Sequence, residues 1–241
     1  ALKSVKAAGP RPAAPRTIRR DGSVAREDVD RPLSRFAEAM RSIKSAADLS
    51  RHSIKVLAFT SSIPNEGKST IAVAFALLAA QTKARVILVD CDFRNPSLTG
   101  TLAPGAEDGI LEVISRKKVL EETLWRDPTT GLHFLPGATS PRLAHSSEVL
   151  ASAPLRALFG ELREKFDWVI VDLPPVAPIV DVQSTAGLAD SYVLIVEWAN
   201  TRIEVAELAL SKASVMHDKL LGAVLNKVDF KILRRHEGHR G

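Results

Sequence analysis

Two apolar runs that each end in aspartate frame the chain: Arg85-Val86-Ile87-Leu88-Val89-Asp90 and Trp168-Val169-Ile170-Val171-Asp172. Runs like these, without polar alternation, are the pattern of strands buried on both faces of a parallel sheet. Further strands are predicted over 54–60, Leu132 to Leu135 (ended by Pro136-Gly137), Tyr192 to Val196, and Leu221 to Leu225. Between them the spacing becomes helical. Leu33, Phe36, Met40, Ile43 and Ala47 recur at three and four, which predicts a helix from Pro32 to about Ser50. Helices are also predicted over 68–82, around Ile110, Leu111 and Ile114, near 119–125, over 147–165 and over 201–217. Residues 95–105 and 141–147 read as loops. Strands alternating with helices predict an α/β fold, a mostly parallel sheet with helices on both faces. Ligands in such sheets sit at the carboxyl ends of the strands, and Lys68, Asp90, Asp92, Asp172 and Asn226 all fall there.

Composition adds a division of the chain. Residues 1–31 are rich in Pro, Arg and Ala and read as a disordered basic linker ahead of a folded domain over 32–230. Residues 231–241 read as a basic tail. Six basic groups and no acid lie in the first 20 residues, and four basic groups against Glu237 lie in the tail. The basicity therefore belongs to the ends, which argues against nucleic-acid binding and for an anionic membrane or partner nearby. A single Cys91 excludes an internal disulfide framework and suits a reducing cytosol. The chain opens on Ala, which predicts a piece cut from a longer protein, and its longest apolar stretch, Ile71 to Ala80, is too short to span a bilayer.

The candidate chemistry begins at 54–70. An apolar strand, the loop Ser61-Ser62-Ile63-Pro64-Asn65-Glu66-Gly67-Lys68-Ser69-Thr70 and a helix follow one another. That is the layout of a P-loop, with Ser62 standing where the first Gly is usual. Loop N–H groups and the helix dipole face a phosphate, Lys68 reaches the outer phosphates, and the Ser69 hydroxyl is a Mg²⁺ ligand. Asp90-Cys91-Asp92-Phe93-Arg94 and Asp172-Leu173-Pro174-Pro175 leave neighbouring strand ends. They supply carboxylates for a metal and for deprotonating an attacking hydroxyl. Cys91 reads as a small buried residue. Asn226-Lys227-Val228-Asp229 resembles the guanine-reading Asn-Lys-x-Asp of GTPases and leaves GTP open.

These motifs resemble, in order and spacing, the bacterial tyrosine kinases that control capsule and exopolysaccharide export. The P-loop is matched at Ser61 to Thr70, the Asp-x-Asp-x-Arg motif at Leu88 to Arg94, and the Asp-x-x-Pro motif at Val169 to Pro175. The resemblance runs from about 33 to 229 and takes in Asp181. It implies a P-loop NTPase fold and phosphoryl transfer from Mg-ATP to a Tyr hydroxyl. Asn65, Glu66, Gly67, Lys68, Ser69 and Thr70 would bind nucleotide, and Asn226 would contact adenine. Lys68, Asp90, Asp92 and Asp172 would be catalytic, with Asp90 as base and with Ser69, Asp92 and Asp172 serving the metal. Arg94 serves either the phosphate site or a subunit contact. A helical Glu-x-x-Arg-x-x-Arg element assembles rings in that family; here it reads Glu38, Arg41 and Lys44, with Lys in the last place. The implied setting is the cytoplasmic face of the bacterial inner membrane, with a membrane-embedded chain-length or export partner.

One departure concerns the acceptor. The family's tail is Tyr-rich, whereas this chain has one Tyr, Tyr192, inside an expected core strand. Either the tail is truncated, or the acceptor Tyr lies on another protein, or the kinase function has drifted. Two rivals follow: a Min/Par-type ATPase switch, whose extra P-loop Lys is here Ile63, and an ATP-sensing regulatory module of an exporter.

Overall fold

The computed structural model describes residues 16–19, 33–137, 145–176 and 180–237. Seven strands form one sheet: β1 (Val56–Ser61), β2 (Val86–Asp90), β3 (Trp125–Arg126), β4 (His133–Leu135), β5 (Trp168–Asp172), β6 (Ser191–Glu197) and β7 (Leu220–Asn226). Their order is β3-β4-β2-β5-β1-β6-β7, with every pairing parallel except β3 against β4. β1, β2 and β5 are buried at every position, as their unbroken apolar runs require. In register, Asp90 lies beside Asp172, and Phe59 also lies beside Asp172. Adjacent parallel strands thus deliver two carboxylates to one point at the carboxyl edge.

The helices are α1 (Arg35–Asp48), α2 (Lys68–Gln81), α3 (Ser97–Leu102), α4 (Ile110–Ile114) and α5 (Leu120–Thr123) in the first half. The second half holds α6 (Ser146–Leu150), α7 (Ala153–Lys165), α8 (Ile203–Lys212), α9 (Ser214–His217) and α10 (Phe230–Glu237), with a 3₁₀ turn over Val180–Thr185. One apolar layer packs α1 and α2 on one sheet face, through Met40, Ile43, Ile71, Phe75, Phe59 and Ile195. The other packs α7 and the 3₁₀ turn on the opposite face, through Leu155, Phe159, Leu162, Val171, Val182 and Leu194. α2 is apolar around its whole circumference because it is a central helix, with Ile71 to Ala80 almost entirely buried.

Several expectations are corrected. α1 starts after Ser34, whose hydroxyl accepts from Ala37 N at 3.0 Å. Leu33 therefore lies outside the helix and is exposed, while Met40, Ile43 and Ala47 form the buried stripe. The expected helix over 147–165 is two helices, because Ser152 caps a new start by accepting from Leu155 N and Pro154 sits in its first turn. The expected helix over 201–217 breaks at Ala213. Residues 95–105 hold α3, and β3 was not expected. The tail segment up to Glu237 is helix α10. Most of the expected 1–31 linker and of the 141–147 loop lies outside the described residues. Residues 16–19, however, are seated on the core: Thr17 bridges Arg126 and Ile18 is buried. Ile18 supplies the large apolar group that the rest of that stretch mostly lacks.

Candidate active site

The loop between β1 and α2 is shaped by backbone that few side chains tolerate. Gly67 has φ 90°, and a Cβ there would lie 2.3 Å from Asn226 Nδ2. Asn65 also sits in the left-handed region at φ 69°. These residues bring the α2 N-terminus to the sheet edge, where its free N–H groups form an anion site.

Lys68 opens α2 and is almost fully buried. Its ammonium lies 2.9 Å from Asp92 Oδ2 and 3.1 Å from Asp172 Oδ2. Burial pulls its pKa down, but Asp172 and Asp92 outweigh that and hold it above the usual lysine value. The Ser69 hydroxyl donates to Asp172 Oδ2 at 2.6 Å. Asp172 is fully buried, and desolvation lifts its pKa despite Lys68 and Ser69. One lysine, one serine and two carboxylates, contributed by three segments, thus converge as expected.

Asp90, the expected base, ends β2. It is fully buried behind Asp92. Its Oδ2 accepts from Thr99 N at 2.9 Å and Thr99 Oγ1 at 2.8 Å, and its Oδ1 accepts from Asp92 N at 3.2 Å. Gly137 packs against Asp90, since a Cβ there would meet its backbone O at 2.7 Å and its carboxyl carbon at 3.4 Å. Desolvation, with Asp172 adding repulsion, raises the Asp90 pKa to about 7. Its oxygens are therefore engaged in holding Asp92 and α3.

A cleft of about 460 Å³ opens over the loop, lined by Gly67, Lys68, Ser69, Asp92, Arg94 and Lys227 among others. Neither Asp90 nor Asp172 is part of its lining. Arg94 reaches it while its Nε donates to Asp181 Oδ2 at 2.8 Å. That oxygen also accepts from Ser146 Oγ at 2.7 Å. A second cleft of about 440 Å³ shares Gly67, Thr70 and Lys227 with the first and is otherwise lined by Arg35, Phe36, Asn226 and Phe230 among others. The Arg35 guanidinium lies 4.4 Å from the Phe230 ring centroid.

Glu66, expected on the nucleotide, is buried with its carboxylate turned into the protein. One oxygen accepts from Glu197 N at 2.9 Å and from the Thr201 hydroxyl, and the other from Ile63 N at 2.9 Å. Only its backbone is left for a ligand. Cys91 is buried, and desolvation beside three carboxylates pushes its thiol well above the usual value. Tyr192 is buried, its hydroxyl 2.9 Å from Thr185 Oγ1. Sequence reading missed Thr99, Glu197, Thr201 and Ser146, which act through contacts distant in the chain. Glu38 and Arg41 pair with each other at 2.8 Å and Lys44 with Asp48 at 2.7 Å, all along α1.

A family model described as AAA domain matches residues 54–224. The chain belongs to this family. The succinoglycan biosynthesis transport protein ExoP of Rhizobium meliloti (strain 1021) is 37% identical over 216 residues, covering 88% of this chain. The chain spans 28% of that protein's length. Tyrosine-protein kinase YwqD of Bacillus subtilis (strain 168) is 29% identical, covering 81% of this chain and 82% of its own. Among solved structures, the chimerical protein CapA2B2 shares 25% identity with a TM-score of 0.76, over 83% of this chain and 88% of its own. The kinase domain of Escherichia coli tyrosine kinase ETK has a TM-score of 0.73 at 20% identity, over 83% of this chain and 80% of that chain, a likeness of fold. The bacterial tyrosine-kinase resemblance stated from the three motifs therefore holds, and so does the P-loop NTPase fold.

Proposed function

We propose that the chain is an ATP-dependent protein-tyrosine kinase that regulates capsule or exopolysaccharide polymerisation and export. The observation that carries this reading is Lys68, held between Asp92 and Asp172 at the mouth of the phosphate loop. A buried ammonium between two carboxylates is a preset cation for incoming phosphate. Lys68 would turn to the outer phosphates and free the Asp92 carboxylate in the same cleft. Asp92 thus takes the role of base expected of Asp90: the Tyr oxygen bonds to the γ-phosphorus, its proton passes to Asp92, and the bond to the bridging oxygen of ADP breaks. Asp90 becomes the positioning residue behind it.

The donor set fits Mg²⁺. Among the described residues no three His, Cys, Asp or Glu gather as a metal cage. The Ser69 hydroxyl is an oxygen donor in the cleft, with Asp172 orienting it, which leaves Asp92 to act as base. A hard cation that keeps waters and phosphate oxygens suits such a sparse set. When bound, Mg²⁺ would neutralise charge on the transferring phosphoryl group.

Adenine over guanine is supported at the second cleft. Asn226 Nδ2 donates to Glu66 O at 2.7 Å, which leaves Oδ1 as the acceptor for a base amino group. Adenine offers that donor at C6, the position where guanine carries the acceptor O6. Asp229, the guanine reader of the GTPase motif, accepts from Lys231 N at 2.8 Å and so caps α10.

The acceptor Tyr lies outside this sequence, because its one Tyr is buried in β6. We also assign Glu38, Arg41 and Lys44 to a contact between copies in a ring. Glu38 is largely exposed, as such a contact needs. Sizing of Arg41→Ala tests this, and an unchanged mass removes the role. No helix among the described residues is long and apolar enough to cross a membrane. A membrane-embedded export partner at the inner face of the membrane, reached through the basic ends, completes the reading. The decisive experiment is incubation with labelled ATP and a Tyr-rich peptide, then phosphoamino-acid analysis. Phosphotyrosine is expected; hydrolysis without transfer, or label on Ser and Thr alone, would sink the reading.

A further inference from the structure

Asn226 and Lys227 leave the end of β7 side by side, and both side chains end on backbone carbonyls of the phosphate loop. Asn226 Nδ2 donates to Glu66 O at 2.7 Å, and Lys227 Nζ donates to Asn65 O at 2.7 Å. The Lys227 ammonium is held from behind by Glu197 Oε2, at 2.9 Å, at the end of β6. Lys227 and Asn65 both occupy the left-handed region, at φ 57° and 69°. Outside glycine that conformation is uncommon and points to a requirement of geometry.

A planar trans peptide points its carbonyl and its N–H in opposite directions. Two successive carbonyls drawn to the β6–β7 corner therefore turn the N–H groups of Glu66 and Gly67 the other way. A phosphate loop works by presenting successive N–H groups to the anion. We propose that Lys227, backed by Glu197, is a positioning residue that presets the phosphate loop by holding the Asn65 carbonyl outward. The proposal rests on the nucleotide-binding reading and adds to it a cause for the loop's shape. Without the ammonium, the Asn65–Glu66 peptide is free to rotate, and phosphate must reorder it on binding.

Two other roles for Lys227 make different predictions. Packing of its stem on the base would affect the nucleoside. Direct contact with phosphate would make Glu197 a competitor, because that carboxylate occupies the same ammonium. Calorimetric titration of the whole chain with Mg-pyrophosphate, and separately with adenosine, distinguishes them. Lys227→Met is expected to weaken pyrophosphate binding about three- to tenfold with adenosine binding unchanged. Lys227→Arg is expected to restore most of it, since a guanidinium can donate to both partners. Glu197→Gln is expected to weaken pyrophosphate binding by a smaller factor, and it decides the matter if Lys227→Met fails to fold. Tighter pyrophosphate binding in Glu197→Gln would overturn the proposal in favour of direct phosphate contact. Loss confined to adenosine, or no change in Lys227→Met, would also overturn it. A wild-type chain that takes up no pyrophosphate would overturn the nucleotide reading itself and the clamp with it.

Discussion

The carboxylate wall at the ends of β2 and β5 and the corner at the ends of β6 and β7 flank one phosphate loop and work on it in opposite ways. The wall is buried: Lys68, Asp90, Asp92 and Asp172 are all below a tenth exposed. It presents Lys68 and Asp92 to the cleft. The corner is half-exposed, and its polar side chains reach the backbone of the loop instead. Charge is worth most where water is excluded, so the wall is where reaction chemistry can be sustained. A carbonyl can be held by an ammonium or amide even near solvent, so the corner suits the setting of geometry.

Removing the wall's one cation should have the largest effect. Lys68→Met leaves Asp92 and Asp172 facing each other without compensation. Phosphoryl transfer is expected to fall by about 10³-fold or more, read from labelled ATP. Chemical denaturation should show a loss on the order of 3 kcal/mol, the penalty for uncompensated buried charge. A variant that still transfers within tenfold of wild type would strip the wall of its chemical role. Next in size, Asp92→Asn should lower kcat by about 10²-fold or more, the contribution of a general base, with smaller change in KM. If Asp90→Asn proves the more damaging of the two in kcat, the base is Asp90 after all.

How far these regions were legible in the sequence follows the same division. The wall could be read because its strands are buried on both faces and so appear as unbroken apolar runs, each stopped by the Asp that matters. The Gly-Lys-Ser loop has a fixed local spacing and needs no tertiary knowledge. The Thr99 contact to Asp90 could not be read because Thr99 lies in a segment of Asn, Pro, Gly and Thr that reads as loop. α3 forms there because Leu98 and Leu102 are buried and Thr99 bonds to Asp90. The corner was illegible because its bonds to the phosphate loop join residues more than 130 apart, such as Glu66 with Glu197 and with Thr201. One signal was available: a glutamate inside a loop built for anions needs some partner other than phosphate.

A smaller effect tests the burial of the wall through pH. The Asp90 pKa rises to about 7 in the fold, against an ordinary value of 3.8. Between those values the folded chain holds a proton that the unfolded chain has released, so this group makes stability fall as pH climbs from about 4 to 7. Above 7 the folded site carries an unwelcome buried charge, and below it the acid is neutral at no such penalty. Asp90→Asn is neutral throughout. Its melting temperature relative to wild type should therefore rise from pH 5 to pH 8. A difference that is flat across that range would mean that Asp90 titrates normally and is wetter than its surroundings imply.

The smallest effect concerns a residue that belongs to neither region. Tyr192 points its hydroxyl at Thr185, donating to Thr185 O at 3.1 Å and lying 2.9 Å from Thr185 Oγ1. Tyr192→Phe removes that hydroxyl and little else, because Thr185 Oγ1 still donates to Val182 O at 2.6 Å. The Thr185 carbonyl keeps the Leu188 N–H at 2.8 Å, so one buried hydrogen bond is lost, a change of about 1 kcal/mol, or roughly 2–4 °C in Tm for a chain of this size. Transfer to a Tyr-rich peptide should be unaffected, and no label should be lost from the chain itself. If Tyr192→Phe instead removes a label that wild type acquires, then β6 opens far enough to expose its side chain. The contrast between a buried wall and a half-exposed corner would then describe only one of the states in which the protein works.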